Sequence, residues 1–130
     1  MAKAISEGLE MEGVKFKLFN IAVNDRNDVL TEVFKAKGIL VGSPTLNNGL
    51  LPTIKPILED LKGLRFKNKV GAAFGTYGWS GENIKIIEDN LQKAKIKKLQ
   101  DGIKFKCQPR KEELEKCVEF GRNFAKALKS

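Results

Sequence analysis

Two short apolar segments, each followed by a glycine-rich loop and then by an amphipathic helix pattern, constrain this 130-residue chain most strongly. The segments are Gly38–Gly42 and Lys69–Phe74, and neither alternates apolar with polar residues. Continuous apolar runs of this length predict strands that are buried on both faces. Because a helix follows each strand, we expect a parallel sheet with helices on both sides. The sequence therefore predicts the α/β fold class with three layers, in one domain covering residues 1–130.

The rest of the chain continues this alternation of strands and helices. The segment Val14–Phe19 alternates apolar and polar residues, which predicts a strand at the edge of the sheet with one exposed face. A last strand is predicted over Ile96–Cys107, interrupted at Asp101-Gly102. Helices are predicted over residues 2–12, 25–35, 51–61, 82–95 and 112–128. Their predicted inward-facing residues are Ala2, Ile5, Leu9, Val29, Val33, Phe34, Ile84, Ile87, Leu91, Ala94, Leu114, Cys117, Val118, Gly121, Phe124 and Leu128.

The residue types present exclude several classes of chemistry. The chain has no histidine, which rules out a Ser-His-Asp triad, a Cys-His pair and any His-ligated metal. Cys107 and Cys117 are too far apart for a C-x-x-C motif, so we expect two buried free thiols rather than a zinc or dithiol site. No apolar run approaches the ~20 residues that cross a membrane, and the first residues read as an amphipathic helix rather than a signal peptide. The expected location is the cytoplasm.

Charge is distributed unevenly along the chain. The net charge is +8, and residues 61–130 hold 17 of the 24 Lys and Arg but only 8 of the 16 Asp and Glu. A basic half of this kind can attract an acidic partner or a nucleic acid, or it can simply be a solvated surface. The basic residues are mostly single lysines with few aromatic residues among them, so nucleic-acid binding is not the favoured interpretation.

The first glycine-rich loop, Val41–Gly49, has the composition of a loop that contacts a ring edge. Pro44 restricts the backbone, Ser43 and Thr45 carry hydroxyls, and Asn47 and its neighbour Asn48 can donate or accept hydrogen bonds. Backbone N–H and C=O groups of such a loop can bond the edge of a heteroaromatic ring. An ordinary turn between a strand and a helix remains an equal alternative.

The second loop, Ala73–Gly81, contains the only Tyr and the only Trp of the chain, Tyr77 and Trp79. Its three glycines, of which Gly75 and Gly78 flank Tyr77, allow a ligand to approach the backbone closely. Stacking of a base on an aromatic side chain contributes about 1–3 kcal/mol, and a larger conjugated ring should gain at least as much. The alternative is that both aromatic side chains pack on the protein surface. In an open α/β sheet, ligands bind outside the carboxyl ends of the strands, where both loops lie.

Taken together, the two loops resemble those of the C-terminal flavodoxin-like domain of flavodiiron proteins (A-type flavoproteins). The matching segments are Val41-Gly-Ser-Pro-Thr-Leu-Asn-Asn-Gly and Phe74-Gly-Thr-Tyr-Gly-Trp-Ser-Gly, together with residues 23–29 and 58–70, so the resemblance covers essentially the whole chain. It implies a flavodoxin-like three-layer αβα fold, a parallel sheet of order 2-1-3-4-5 and the cofactor FMN. By that resemblance one side of the isoalloxazine ring is lined by Ser43, Pro44, Thr45, Leu46 and Asn47. The other side is lined by Gly75, Thr76, Tyr77, Gly78 and Trp79, with Tyr77 or Trp79 stacked on the ring.

The chain departs from that family pattern in two places. It has no metallo-β-lactamase-like diiron domain, and a chain without histidine cannot supply the diiron ligands. Residue 1 also corresponds to the helix that follows the family's first strand and phosphate loop, so the first strand is expected to be absent between Val14–Phe19 and Gly38–Gly42. The flanking strands then pair directly, another chain supplies a strand, or the sequence is part of a longer polypeptide. Weak FMN binding, or none, is expected of this polypeptide alone.

These observations leave two main functional hypotheses. The first is an FMN-binding electron-transfer domain of flavodiiron type, whose partner is an acidic redox protein such as a rubredoxin or a metallo-β-lactamase-like diiron domain. The second is a cofactor-free flavodoxin-like binding module that associates through open sheet edges, including homo-oligomers. Nucleic-acid binding by the basic half is a weaker third. No set of acid, base and nucleophile side chains in the sequence points to catalysis without a cofactor.

Overall fold

A computed structural model describes residues 1–45, 49–64 and 66–130 of the chain. From residue 38 onward strands and helices alternate as the hydrophobic pattern predicts, whereas the first two elements are both helices. The elements are α1 (Ala2–Met11), α2 (Arg26–Lys35), β1 (Gly38–Gly42), α3 (Lys55–Leu64), β2 (Val70–Tyr77), α4 (Asn83–Lys93), β3 (Lys97–Lys98), β4 (Ile103–Lys106) and α5 (Lys111–Lys129). Within these described residues, no helix is both long and apolar enough to cross a membrane.

The four strands form one parallel sheet in which β2 is central. One edge of β2 pairs with β1, in the register Gly38↔Val70 to Gly42↔Phe74. The other edge pairs first with β3, at Val70↔Lys97, and then with β4, at Phe74↔Ile103. The predicted last strand is thus divided at Asp101-Gly102 into two pieces that share one neighbour.

Helices cover both faces of the sheet, which confirms the three-layer αβα architecture. Successive residues of β2 point to opposite sides: Ala72 packs in one apolar cluster and Ala73 in the other. The cluster around Ala72 contains buried residues of α1 and α5. The cluster around Ala73 contains buried residues of α2, α3 and α4. The apolar stripes of all five helices therefore meet the sheet.

Two glycines allow α1 and α5 to pack with their backbones in contact. A Cβ atom on Gly8 would lie 2.0 Å from the carbonyl oxygen of Val118, and one on Gly121 would lie 2.1 Å from the carbonyl oxygen of Ile5. Neither distance is sterically possible without movement of the backbone. The layer formed by α1 and α5 therefore depends on glycine at both positions.

The strand predicted over Val14–Phe19 is wrong. The segment is without regular secondary structure, although Val14 packs against the α1/α5 side and Phe19 against the α2 side. It therefore passes across the open edge of the sheet beside β1, anchored by an ion pair of 3.0 Å between Lys17 and Glu32 of α2. Alternation alone does not make a strand, because a strand requires a neighbour to accept its backbone hydrogen bonds.

Direct pairing of this segment with Gly38–Gly42, one of the three outcomes considered above, is likewise wrong, since β1 pairs with β2 alone in the described sheet.

Four smaller expectations also differ from the structure. Phe34 and Leu114, expected to face inward, are exposed: Phe34 lies beside the apolar stripe of α2, and Leu114 lies in the first turn of α5. Cys107, expected to be buried, is exposed just after β4, whereas Cys117 is buried as expected. Helix α3 begins at Lys55 rather than near residue 51, so Pro52 precedes the helix and Pro56 lies in its first turn.

Candidate functional site

The two glycine-rich loops lie side by side at the carboxyl ends of β1 and β2. Beyond the end of β1, the backbone continues to bond β2: Ser43 N–H donates to the Phe74 carbonyl at 3.2 Å, and Thr45 N–H donates to the Thr76 carbonyl at 3.0 Å. Parallel neighbouring strands end at the same edge of the sheet, and these bonds extend that proximity into the loops. The structure thus brings the described part of the first loop against the second.

The side chain of Ser43 is used within the first loop itself. Ser43 is 4 % exposed, its hydroxyl donates to the Pro44 carbonyl at 2.8 Å, and it accepts from Leu51 N–H at 3.1 Å. These bonds tie the beginning of the loop to its end. The hydroxyl of Ser43 and its N–H, which bonds Phe74, thus both serve the loop itself, whereas Pro44 is exposed. The predicted residues Leu46 and Asn47 lie outside the described residues.

The second loop presents an uncovered aromatic face. Trp79 is 97 % exposed, so its indole ring makes almost no contact with the rest of the protein. Gly78, beside it, is exposed and has open space where a side chain would be. The alternative that both aromatic residues of this loop pack on the protein surface is therefore wrong for Trp79. A large exposed aromatic ring between glycines is well suited to stacking on a flat ligand.

Tyr77 is held more firmly than Trp79. It is half-buried, its backbone carbonyl accepts from Cys107 N–H at 2.6 Å, and the Nζ of Lys104 lies 5.7 Å from the centre of its ring. The same Nζ donates to the Gly81 carbonyl at 3.0 Å. Lys104 therefore connects β4 with the middle and the end of the second loop and places a positive charge beside Tyr77.

Asn83, the first residue of α4, joins the two loops from beneath. It is 0 % exposed, and its Nδ2 donates to the Ser43 carbonyl at 2.8 Å and to the Thr76 carbonyl at 3.1 Å. The sequence does contain a signal for this residue. Asn83 occupies the same face of α4 as Ile87 and Leu91, at successive spacings of four residues, and a polar residue on an apolar stripe needs a buried partner.

Gly75 provides the space for this contact. A Cβ atom at residue 75 would lie 2.1 Å from the Ser43 carbonyl oxygen and 2.4 Å from Nδ2 of Asn83. A side chain here would displace both partners of the bond between the loops. Gly75 is therefore required by close packing beneath the site, a different reason from the ligand approach that the sequence suggested.

The residues present fit a flat ring better than they fit a metal. Two buried polar atoms, Thr45 Oγ1 and Asn83 Oδ1, have no hydrogen-bond partner among the described residues, and both belong to the loops or to the residue that joins them. Unpaired buried polar atoms of this kind are found preferentially at functional sites. Within the described ranges, no group of three or more Cys, Asp or Glu side chains is positioned to hold a metal ion.

The sequence profile of the flavodoxin family matches residues 1–121, and the chain belongs to that family. Flavodoxins bind FMN at the carboxyl ends of their parallel strands, so FMN is the cofactor of the family. The α/β fold class and the flavodoxin-like parallel sheet are confirmed.

Similar proteins are longer than this chain. It is 50 % identical over 126 residues to a nitric oxide reductase of Moorella thermoacetica, an alignment that covers 96 % of this chain and 32 % of the relative. It is 43 % identical over 128 residues to an anaerobic nitric oxide reductase flavorubredoxin of Aeromonas hydrophila, covering 97 % of this chain and 26 % of the relative. The chain thus spans about a third or less of these relatives.

Two solved structures superpose closely on this chain. Rubredoxin oxygen:oxidoreductase from Desulfovibrio gigas superposes with a TM-score of 0.93 at 34 % identity, over 98 % of this chain and 32 % of that one. A flavodoxin from the domain Archaea superposes with a TM-score of 0.87 at 26 % identity, over 98 % of this chain and 87 % of that one. The resemblance to the flavodoxin-like part of flavodiiron proteins is therefore confirmed. Which residues contact a flavin stays a prediction.

Proposed function

We propose that this chain is an FMN-binding electron-transfer domain of flavodiiron type. FMN, when bound, supplies the chemistry, since the flavin accepts and donates one or two electrons. The observation that supports the proposal most is the hydrogen-bonded contact between two glycine-rich loops at the carboxyl ends of neighbouring parallel strands, with the exposed Trp79 beside them. The protein would hold the ring, exclude water from it and offer backbone groups to its polar edge.

In this proposal the two loops have different tasks. The first loop, with Ser43, Pro44 and Thr45 and the predicted Leu46 and Asn47, would line the polar edge of the ring, through groups that the bonds to β2 and to Asn83 leave free. The second loop, with Gly75, Thr76, Tyr77, Gly78 and Trp79, would form the opposite wall. Trp79 is the favoured stacking residue, because Tyr77 is already half-buried beside Lys104 whereas the indole is uncovered.

Isothermal titration of the protein with FMN and with riboflavin, which lacks the phosphate, tests the proposal. We expect both ligands to bind, because the ring that the two loops would hold is common to both. Trp79→Ala should weaken both ligands by about tenfold or more, because stacking contributes about 1–3 kcal/mol. Phe16→Ala is the matched control, since Phe16 is an exposed aromatic residue far from the loops in sequence.

Three results would count against these proposals. If neither ligand binds at millimolar concentration, the flavin-binding function is wrong. If Trp79→Ala and Phe16→Ala behave alike, Trp79 is not the stacking residue. If FMN binds and riboflavin does not, the two loops do not hold the ring.

The proposed redox partner is an acidic protein such as a rubredoxin, or a metallo-β-lactamase-like diiron domain. The supporting observation is that β4 ends at the same edge of the sheet as the two loops, and its exposed residues Lys104 and Lys106 add positive charge there. Lys106→Glu should weaken rubredoxin binding and reduce its dependence on salt. Lys67→Glu is the matched control, because Lys67 is exposed just before the opposite end of β2. Equal effects of the two substitutions would contradict this docking site.

A cofactor-free binding module is the second candidate function, and the open edge of β1 favours it. Phe16 and Leu18, in the segment that crosses this edge, are 41 % and 50 % exposed. Association through the edge would cover them and pair the free side of β1. Sedimentation of flavin-free protein as a dimer that dissociates on Leu18→Lys would support this candidate, whereas a monomer at every concentration would exclude homo-oligomers.

The cytoplasm is the proposed setting. Cys107 and Cys117 are both free thiols, which suits a reducing compartment.

A further inference from the structure

Asn83 is a buried polar residue on a helix face that is otherwise apolar. It is 0 % exposed and shares its face of α4 with Ile87 and Leu91, which are 0 % and 3 % exposed. A side-chain amide in such a position is unfavourable unless its polar atoms find partners. The contacts of Asn83 therefore indicate what the residue does.

Both contacts of Asn83 are made with the loop region rather than with its own helix. Nδ2 donates to the Ser43 carbonyl, which belongs to the first loop, and to the Thr76 carbonyl, near the end of β2. The Thr76 carbonyl also accepts from Thr45 N–H. One side chain thus connects the first loop, the strand that leads into the second loop and the start of α4.

The oxygen of the same amide has no partner among the described residues. An unpaired buried acceptor is destabilising, and an apolar residue continuing the stripe of α4 would avoid it. An aspartate would be worse, since its carboxylate would face the two carbonyl oxygens that Nδ2 now bonds. The geometry thus suits the NH₂ group of asparagine in particular, a two-pronged donor between two acceptors.

We propose that Asn83 is a positioning residue that fixes the first loop against the second and thereby the placement of both loops toward a flat ring. The ligand part of this inference rests on the proposed flavin-binding function, whereas the positioning of the loops does not. Asn83 acts through Ser43 and Thr76 and has no contact with the ligand. The effect of Asn83 concerns only the binding of the ring, which FMN and riboflavin share. Loss of Asn83 therefore weakens the binding of both ligands by the same factor.

The first test follows the loop without any ligand. Hydrogen exchange of the Thr45 amide is measured in the wild type, in Asn83→Leu and in Asn83→Asp. The matched control is Asn90→Ala, because Nδ2 of Asn90 also donates a bond from α4, but to the Ile86 carbonyl of its own helix. We expect Asn83→Leu to accelerate exchange at Thr45 by about tenfold or more beyond any change at amides in the centre of β2, which report stability of the sheet. Asn90→Ala should leave that ratio unchanged.

The second test measures riboflavin and FMN binding by the same variants. Asn83→Leu should weaken both flavins by about tenfold, equivalent to about 1.4 kcal/mol, while Asn90→Ala binds like the wild type. If Asn83→Asp does not fold, the comparison rests on Asn83→Leu, which keeps the stripe apolar. The inference is overturned if Asn83→Leu accelerates amide exchange at Thr45 no more than at the centre of β2, or if it leaves riboflavin binding unchanged. If the wild type binds no flavin, the proposed function fails and the exchange test alone decides whether Asn83 positions the loops.

Discussion

At the scale of single residues, Lys69 shows how a charged side chain is accommodated in the core. It is 8 % exposed, and its Nζ donates to the carbonyls of Phe34, at 3.2 Å, and Ala36, which are the last acceptors of α2. The ring of Phe66 lies 5.1 Å from the same Nζ. Burial lowers the pKa of Lys69 from its ordinary value, yet the carbonyls give the ammonium group two acceptors.

Lys69→Met should destabilise the protein by about 1–3 kcal/mol, because it keeps the aliphatic stem but removes the donor that the carbonyls of Phe34 and Ala36 share. Urea unfolding measures the change. The exposed Lys67 provides the control, since Lys67→Met should shift the free energy of unfolding by no more than about 0.5 kcal/mol. Equal stability of Lys69→Met and the wild type would show that the capping of α2 by Lys69 is unimportant.

The two cysteines differ sharply in environment. Cys117 is 0 % exposed and burial raises the pKa of its thiol, whereas Cys107 is exposed with a φ of +59°. Iodoacetamide at neutral pH should therefore modify Cys107 in the native protein and both thiols only after unfolding. Mass spectrometry of the native Cys107→Ser variant should find almost no adduct. Comparable labelling of both thiols in the folded wild type would contradict the burial of Cys117.

At the scale of secondary-structure elements, alanine in place of glycine is expected to have opposite effects at the contact of α1 with α5 and on the exposed face of α3. Gly8→Ala should destabilise the protein by about 2 kcal/mol or more, because its Cβ would lie 2.0 Å from the Val118 carbonyl oxygen. Gly63→Ala, in the exposed face of α3 with no atom within 4 Å of the added Cβ, should stabilise by about 0.5–1 kcal/mol. Thermal unfolding distinguishes the two. A neutral Gly8→Ala would mean that the two helices can separate without cost.

The free side of β1 makes a second prediction at this scale. The Lys37 carbonyl and the Ser43 N–H both bond β2. Because backbone groups alternate in direction along a strand of a parallel ladder, the N–H and C=O groups of odd-numbered β1 residues point toward β2, and those of Leu40 point away from it. No backbone hydrogen bond joins Leu40 to residues 14–19 in the structure. In hydrogen exchange of the monomer, the Leu40 amide should exchange at least about tenfold faster than those of Ile39 and Val41. Equal protection of all three amides would mean that the edge is covered in solution.

At the scale of the whole molecule, an ion pair joins the two ends of the chain. Nε of Arg122 in α5 lies 3.0 Å from Oε2 of Glu12, just after α1, and this hydrogen bond lowers the pKa of Glu12 below its ordinary value of 4.5. A carboxyl group whose pKa is lower in the folded state stabilises the protein above its ordinary pKa, and this contribution is lost as pH falls through the lower, folded-state value.

Glu12→Gln should therefore lower the free energy of unfolding at pH 7 and reduce its decline on acidification below pH 4.5. Glu10→Gln, an exposed glutamate of α1, is the control and should keep the decline of the wild type. Urea unfolding at a series of pH values measures both. An unchanged pH profile in Glu12→Gln would show that the pair contributes nothing to joining the helices.

The sequence by itself determined the alternation of elements, the parallel sheet and the placement of two glycine-rich loops at one edge. These follow from short-range patterns: apolar runs of five or six residues, helical stripes such as Ile84, Ile87 and Leu91, and the glycines that end them. The loops resembled a known family closely enough to predict the fold and its cofactor, and both are confirmed for the family.

Only the tertiary structure decided which patterns find partners. Residues 14–19 alternate like a strand but lack a neighbouring backbone to bond, so they form none. Asn83 looks like an interruption of an apolar stripe until the fold brings Ser43, 40 residues away, within 2.8 Å of its amide. Side-chain periodicity depends on residues that are neighbours in the sequence, whereas the hydrogen-bond partners of a polar group can be distant in the sequence. For that reason the loops were predictable from the sequence, but the bonds that hold them together were not.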